Sequence, residues 1–312
     1  MTNAHIWWPC RRALALACVG LLLAMVVAMP AMATSEQQQR IAIISAFEPE
    51  LTHLSDRLKD PSEKQINGIT FTTGTLQSQP VVLFLSGISM TNAAMTTQLA
   101  LDHFNISHIV FSGIAGGADP DLNIGDVLVA ERWGQYLETV MARETESGFQ
   151  PPKGKEGLKF PGFGMMFPRE VRVRSEQQPE IHHKFWFEVD QNLLQRAKKL
   201  QDVSLESCSQ EKECLENEPR VIIGGNGVSG SAFIDNADFR RYAHDTFDAR
   251  VLDMESAACA AVAYSNDVPF IAFRSLSDLA GGGAGENEMY TFMDIAASNS
   301  ARVVLRFLDT WD

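Results

Sequence analysis

Ile41 to Leu58 reads IAIISAFEPELTHLSDRL. Its first seven residues, Ile41 to Phe47, form a short apolar run of the kind that makes a strand buried on both faces. From Glu48 the period lengthens: Leu51, Leu54 and Leu58 recur three and four residues apart, which puts them on one face of a helix. A buried strand that runs straight into an amphipathic helix opens a βα unit.

The pattern recurs downstream. Ile69 to Leu76 and Val81 to Ser86 read as a pair of strands, and Met90 to Phe104 as a helix. His108 to Ser112 is another buried strand, followed by a glycine-rich turn at Gly113 to Gly117 and a strand at Gly125 to Ala130. In the later half Arg220 to Gly225 and Val268 to Arg274 read as strands. Asn236 to Thr246, Leu252 to Ser265 and Glu286 to Leu308 read as helices, with a flexible loop at Gly281 to Gly285. Alternating strands and helices joined by glycine turns predict an α/β fold, one sheet covered by helices on both faces.

Two segments depart from this rhythm. Residues 133–183 hold Pro151, Pro152, Pro161, Pro168 and Pro179 with scattered charge and no long apolar period, so they read as an irregular excursion from the domain. Phe160, Phe163 and Phe167 give it surface to pack on the body or on a partner subunit. At the N-terminus, Arg11 and Arg12 precede the apolar run Ala13 to Ala28, and Ala31-Met32-Ala33 supplies small residues at a cleavage position. That order predicts a signal peptide over residues 1–33, with a domain over 34–312 that is periplasmic or secreted and free of the membrane.

Composition narrows the ligand. With 45% apolar residues the chain has ample material for a core. Losing residues 1–33 removes two arginines and no acid, which takes the formal charge from −13 to −15. So acidic a protein has none of the phosphate attraction that drives nucleic-acid binding. Its expected partner is a small molecule, neutral or cationic. Export makes a Cys208–Cys214 disulfide plausible on the polar segment SLESCSQEKECLENEP, and Cys259, in an alanine-rich helix, reads as a small buried residue. Three cysteines without clustered histidines are poor material for a metal site, so neither a metal nor a cofactor is expected.

Four blocks stand at or beyond strand ends, where ligands of α/β sheets collect. In SAFEPEL, Ser45 to Leu51, Glu48 and Glu50 open a helix, and such acids also serve as plain partners of the helix dipole. In FSGIAGGA, Phe111 to Ala118, three glycines let backbone come close to a ligand, or simply make a tight turn. In VLDMESAACAA, Val251 to Ala261, Asp253 and Glu255 flank Met254 at a helix start. In FRSLSDLAGGG, Phe273 to Gly283, a buried strand delivers Arg274, Ser275, Ser277 and Asp278 into a turn, a grouping that resembles a site more than a cap.

Taken together with LSGIS, NIGDVLVA and SGSAFID, these blocks resemble the nucleoside phosphorylase superfamily and, within it, bacterial 5′-methylthioadenosine/S-adenosylhomocysteine nucleosidases. The resemblance runs from about Ile41 to Leu308 outside the excursion and implies a three-layer α/β/α sandwich with a central mixed sheet, in a homodimer. It implies that Glu50 activates a water and that Asp278, beside Ser277, protonates the purine. Met254 and Glu255 then lie under the ribose, Phe233 and Ile234 contact the base, and Ile88 of LSGIS and Gly116 of SGIAGG complete the substrate pocket. Pro49 and Ile114 depart from the family pattern, in which a glutamate and a small polar residue are usual. A second resemblance, in VLDMESAACAA, SLSDLAGGG and the two cysteines before RVIIGG, is to plant bark and vegetative storage proteins, which share the fold as nitrogen stores.

The chemistry implied is hydrolysis of the N-ribosidic bond of an adenine nucleoside such as methylthioadenosine, S-adenosylhomocysteine or adenosine. Adenine leaves readily only when a ring nitrogen is protonated, which calls for a carboxylic acid kept protonated by burial. The sugar develops oxocarbenium character, which a carboxylate on its hydroxyls stabilises. Phosphate, the rival nucleophile, needs arginines or lysines around it. None falls between Ile41 and Asp56 or in GIAGG, so water is the expected nucleophile, with phosphorolysis and non-catalytic storage as the alternatives.

Overall fold

A computed structural model of the chain describes residues 38–155, 158–209 and 213–311. The expected signal peptide lies outside the described residues. Twelve strands of the described residues join one mixed sheet. They are β1 (Arg40–Ser45), β2 (Lys59–Ile66), β3 (Ile69–Leu76), β4 (Gln79–Leu85), β5 (Ile106–Gly117) and β6 (Val127–Val129). β7 (Arg132–Gln135), β8 (Trp186–Glu188), β9 (Val221–Ile223), β10 (Asn226–Ser229), β11 (Ala249–Asp253) and β12 (Phe270–Asp278) complete it. The order is β8-β7-β10-β11-β5-β1-β4-β3-β2, with β12 also on β5 and leading through β6 to β9.

The centre of the sheet is parallel and dry. Every residue of β1 is buried, and it lies parallel to β4 and β5. β12 runs parallel to β5 from Phe270–Ile109 to Asp278–Gly116, and all nine of its residues are buried. Continuous apolar runs such as IAIIS and FIAF are what a strand covered on both faces requires. Helices α1 (Glu48–Ser55), α2 (Met90–His103), α3 (Gln191–Ala197), α4 (Ala237–Phe247), α5 (Ser256–Ser265) and α6 (Met289–Leu308) flank the sheet. α1 packs with α6, and α2 with α5. Phe273 of β12 meets Phe307 of α6 at 4.9 Å between ring centres, and burying each such side chain contributes about 1.5–3 kcal/mol. The central mixed sheet flanked by helices agrees with the α/β architecture expected.

Three local expectations are corrected, and one strand went unread. Gly113–Gly117 is no turn: β5 continues through it, paired with β12 on one side and with β11 at Gly116 and Gly117 on the other. The glycines are there for close approach. A Cβ at Gly113 would overlap the Arg274 guanidinium and the Glu50 carboxylate. Helix α5 starts at Ser256 and not at Leu252, because Ala249–Asp253 is a strand whose neighbours β10 and β5 pair with it. β12 extends to Asp278, so Ser275, Ser277 and Asp278 stand in the strand and not in a turn after it. β2, the polar sequence KDPSEKQI, is an exposed edge strand with no apolar alternation to mark it, and Pro61 with Lys59 and Lys64 discourages further pairing there.

The excursion is partly ordered by its own ribbons. Trp133 is fully buried within β7, and beyond it Thr139–Met141 pairs with Met166–Pro168, and Val171–Val173 with His182–Lys184. Phe160 and Phe163 pack against Phe185, Phe239 and Phe247, a second aromatic core beside the first. Cys208 and Cys214 form a disulfide, and Cys259 is buried and unpaired with another cysteine.

Candidate active site

The C-terminal ends of β1, β5, β11 and β12 surround a cavity of about 650 Å3, a size that suits a nucleoside. Glu50, Asp278, Ser277, Glu255, Met254 and Gly116 all line it, as do Phe233, Ile234 and Ile88. Glu48 does not; it points out into solvent from the same helical turn. Every expected site residue is therefore in one place. Phe233 and Ile88 stand at the rim, about half exposed at 54% and 51%.

Glu50 belongs to the first turn of α1, where Pro49 starts the helix. Its Oε2 accepts from Ala46 N at 2.6 Å, and its Oε1 from Ile114 N at 2.8 Å. Burial raises its pKa, against the pull of Arg274 and of the N–H groups of Ile114, Ala46 and Phe47. These donors favour the ionised form, which a base needs.

Arg274 is the group sequence reasoning placed but gave no role. It is fully buried, and three carboxylates gather on it. Asp253 Oδ2 lies 2.8 Å from Nε, Glu255 Oε2 3.3 Å from Nη2, and Glu50 Oε1 3.8 Å from Nη1. Nη1 also donates to Ile114 O at 3.1 Å, Nε donates to Ser256 Oγ at 2.9 Å, and the guanidinium lies 4.0 Å over Phe111. The expectation that no basic residue sits near Glu50 is thus overturned, because a count along the local sequence cannot see a residue from β12. The inference drawn from it survives, since one cation among three carboxylates leaves the region negative. No lysine, arginine or histidine is among the described residues that line the cavity. The signal was present in the sequence: a charge inside the apolar run FIAFRSL has to be paired.

Asp253 caps α5 by accepting from Glu255 N and Ser256 N, each at 3.3 Å, and it takes the hydroxyl of Ser229. Glu255 is held at both oxygens, Oε1 by Ser89 N at 2.9 Å and Oε2 by Arg274. Ser89 adopts φ 92°, a conformation that favours glycine, to aim that N–H. Burial is the main reason the Glu255 carboxyl is pushed up to about 7, with Asp253 and Glu50 adding to it and Arg274 opposing.

A folded-state pKa above the unfolded value means that the folded protein binds the proton more tightly. The stability Glu255 contributes is therefore largest at low pH and is lost as pH rises from 4.5 towards about 7. His108, whose pKa is lowered from 6.5 by burial, works in the opposite sense below that pH. Comparison with Glu255→Gln isolates the glutamate. The thermal midpoint of the parent should fall more steeply than that of the variant between about pH 5 and about pH 8. Parallel curves would refute the elevated pKa.

Asp278 ends β12. Its Oδ2 accepts from Ser277 Oγ at 2.9 Å, and its Oδ1 from Ala280 N at 2.8 Å. Gly116 leaves room for it: a Cβ there would lie 3.2 Å from Asp278 Oδ1 and from Ala280 Cβ. Burial raises the pKa of Asp278, which keeps a proton available, while the three hydrogen bonds from Ala280, Ser277 and Asn287 pull the other way. The remaining wall is apolar: Phe47, Met289 and Met293 pack against the cluster of Ile114, Ala296 and Ala297.

An α/β sheet with a buried acid cluster at its strand ends and a raised acid across the cavity defines a class. The chain belongs to the phosphorylase superfamily, whose model matches residues 40–309. Within it, the chain is similar to proteins named as nucleosidases. The 5′-methylthioadenosine/S-adenosylhomocysteine nucleosidase of Mycobacterium tuberculosis is 30% identical over 269 residues, which cover 86% of this chain and 96% of the relative. The S. pneumoniae nucleosidase, solved with a transition-state inhibitor, superposes with a TM-score of 0.64 at 25% identity over 88% of this chain and all of its own. The Colwellia psychrerythraea nucleosidase, solved with adenine, gives 0.65 at 26% identity, covering 88% of this chain and 96% of its own.

Proposed function

We propose that this protein is a purine nucleosidase, an N-ribosyl hydrolase that releases adenine from an adenine nucleoside such as 5′-methylthioadenosine, S-adenosylhomocysteine or adenosine. The observation that carries the reading is that three carboxylates around one cavity have three different environments. Asp278, raised by burial, supplies a proton to the purine, so that the base leaves neutral when C1′–N9 breaks. Glu255, fixed by Ser89 and Arg274, holds the ribose hydroxyls and faces the positive charge that grows on the sugar. Glu50, held by the N–H groups of Ala46 and Ile114, takes a proton from the water whose oxygen bonds to C1′. Phe233 and Ile234 cover the base, and Met254 lies beneath the sugar.

The far wall of Phe47, Ile114, Met289 and Met293 favours an apolar 5′ substituent, and methionine sulfur suits a thioether neighbour. Pro49 and Ile114 contribute to that wall in place of polar groups. No cofactor is required by this scheme.

Phosphorolysis is the second reading, and Arg274 is the observation that favours it. The guanidinium is already shared among three carboxylates, however, and a dianion beside Glu50 would meet like charge. Adenine should therefore be released from 5′-methylthioadenosine in phosphate-free buffer, at a rate that added phosphate leaves unchanged. Formation of 5-methylthioribose 1-phosphate, or a rate that climbs with phosphate, would overturn hydrolysis and leave the fold untouched. A storage role, suggested by the plant-protein resemblance, gives no reason for this set of buried acids.

We also propose that the protein acts outside the cytoplasm, periplasmic or secreted, as a homodimer. The Cys208–Cys214 disulfide suits an oxidising compartment. Exposed Ile88 and Met95, beside the cavity mouth and on α2, are suited to a partner surface.

A further inference from the structure

Asn287 stands between the glycine-rich segment 281–285 and the start of α6. Its amide has three partners. Oδ1 accepts from Met289 N at 3.0 Å, and Nδ2 donates to Asp235 Oδ1 at 3.2 Å and to Asp278 Oδ1 at 3.4 Å. This orientation follows from chemistry, since two carboxylate oxygens need a donor and Met289 N–H needs an acceptor. One side chain thus joins three walls of the cavity: the strand end with Asp278, the loop with Phe233 and Ile234, and the helical turn with Met289 and Met293.

The backbone around it is fitted to the same contact. Asn236 N donates to Ala280 O at 3.1 Å, and Gly281, with φ 84°, passes so close to the Asp235–Asn236 peptide that a Cβ would overlap it. Gly282 likewise lies against the Arg240 guanidinium of α4. Asp235 and Asp278 share Asn287 as a common donor, and Glu288 is a further acid whose charge acts on Asp278. Asn287 is the donor that lets these acids share one place.

We infer that Asn287 is a positioning residue, whose amide holds the Asp278 carboxyl in register with the purine-contacting loop and the first turn of α6. This rests on the reading of Asp278 as the acid that protonates the base. The groups facing Asp278 are Ser277 on its own strand, the Ala280 N–H, Asn287 and Glu288; Gly116 of β5 brings nothing that titrates. Ser277, Ala280 and Asn287 favour the carboxylate, and Glu288 opposes it. Removing Asn287 therefore makes Asp278 keep its proton to higher pH while loosening its aim.

The test uses 5′-methylthioadenosine and the full pH profile of kcat and kcat/KM for the parent, Asn287→Ala, Asp235→Ala, the double variant and Asp278→Asn. Asn287→Ala should lower kcat on the pH plateau by about tenfold, the loss expected for one hydrogen bond to a charged group. Its KM should change little, its thermal midpoint should hold, and its alkaline limb should move to higher pH. Asp235→Ala, which only loosens the anchor of Asn287, should lower kcat by less than Asn287→Ala does, and the double variant should be no slower than Asn287→Ala alone. A parental limb and kcat in Asn287→Ala, or losses that multiply in the double variant, would overturn the inference. So would an activity loss matched by a fall in thermal midpoint with the limb unmoved. Asp278→Asn separates the two levels: if it is slow and Asn287→Ala is not, only the inference falls, whereas full activity in Asp278→Asn removes the nucleosidase reading as well.

Discussion

Asp278→Asn and Glu50→Gln should each slow adenine release by about 10²–10⁴-fold, the range for losing a general acid or base, while Glu48→Gln leaves it close to the parent rate. Asn at 278 keeps the acceptor for Ala280 N but cannot give an acidic proton to the purine. Gln at 50 keeps one oxygen for Ile114 N or Ala46 N, yet it cannot take a proton from water. Glu48 is two residues from Glu50 and exposed, so it controls for any loss of charge on the helix. Nucleoside affinity should survive in both slow variants, because neither change removes Glu255, Phe233 or Met254. Turnover and affinity measured on all three decide the matter. If Glu48→Gln is as damaging as Glu50→Gln, the register of SAFEPEL is wrong; if neither buried acid matters, the site assignment fails.

Arg274→Met should cost about 3–5 kcal/mol of folding stability, as removal of one partner from a buried charge network does. The reason is asymmetric. Methionine fills much of the arginine volume, but it leaves the buried carboxylates of Asp253, Glu255 and Glu50 facing one another with no cation between them. Against a typical total of roughly 5–15 kcal/mol, such a loss is a large fraction. Arg274→Lys keeps the charge without the fork, so it should fall between the two, short of the contacts to Ser256 Oγ and Ile114 O. Adding Glu255→Gln to Arg274→Met should recover part of the loss by removing one of the stranded charges. Urea denaturation of the four proteins reads this directly. A stable Arg274→Met, or a double variant weaker than the single, would show that the three carboxylates do not depend on the guanidinium.

Much of the framework is legible in the sequence because the physics is local. IAIIS and FIAF are buried strands by composition alone, and the spacing of Leu51 and Leu54 marks α1. Glu50, Glu255 and Asp278 reach one cavity because each stands at or next to a strand end, where the sheet gathers ligand groups. What escapes is whatever depends on a partner strand. Gly113–Gly117 looks like a turn until β11 and β12 are beside it. ARVLD is too short to announce β11, and KDPSEKQI has the composition of a loop yet pairs as an edge. The role of Arg274 is hidden for the same reason, since its three carboxylates come from two other blocks. Asn287 follows a glycine-rich stretch that, read alone, is only a flexible connection.

Met289, Met293 and the exposed Tyr290 all come from the opening turns of one helix, whereas the acids and Arg274 are tied to strand ends and to each other. Met289 and Met293 pack on Ile114 at the cavity wall, while Tyr290 faces solvent, where most changes alter stability by less than about 0.5 kcal/mol. A side chain gained at Gly113, by contrast, would strike the acid cluster itself. On the nucleosidase reading proposed above, mutation can therefore wander where the 5′ group would lie while the acid cluster stays fixed. A lineage carrying this chain could change its preferred 5′ group in small, separately viable steps and inherit the chemistry intact throughout.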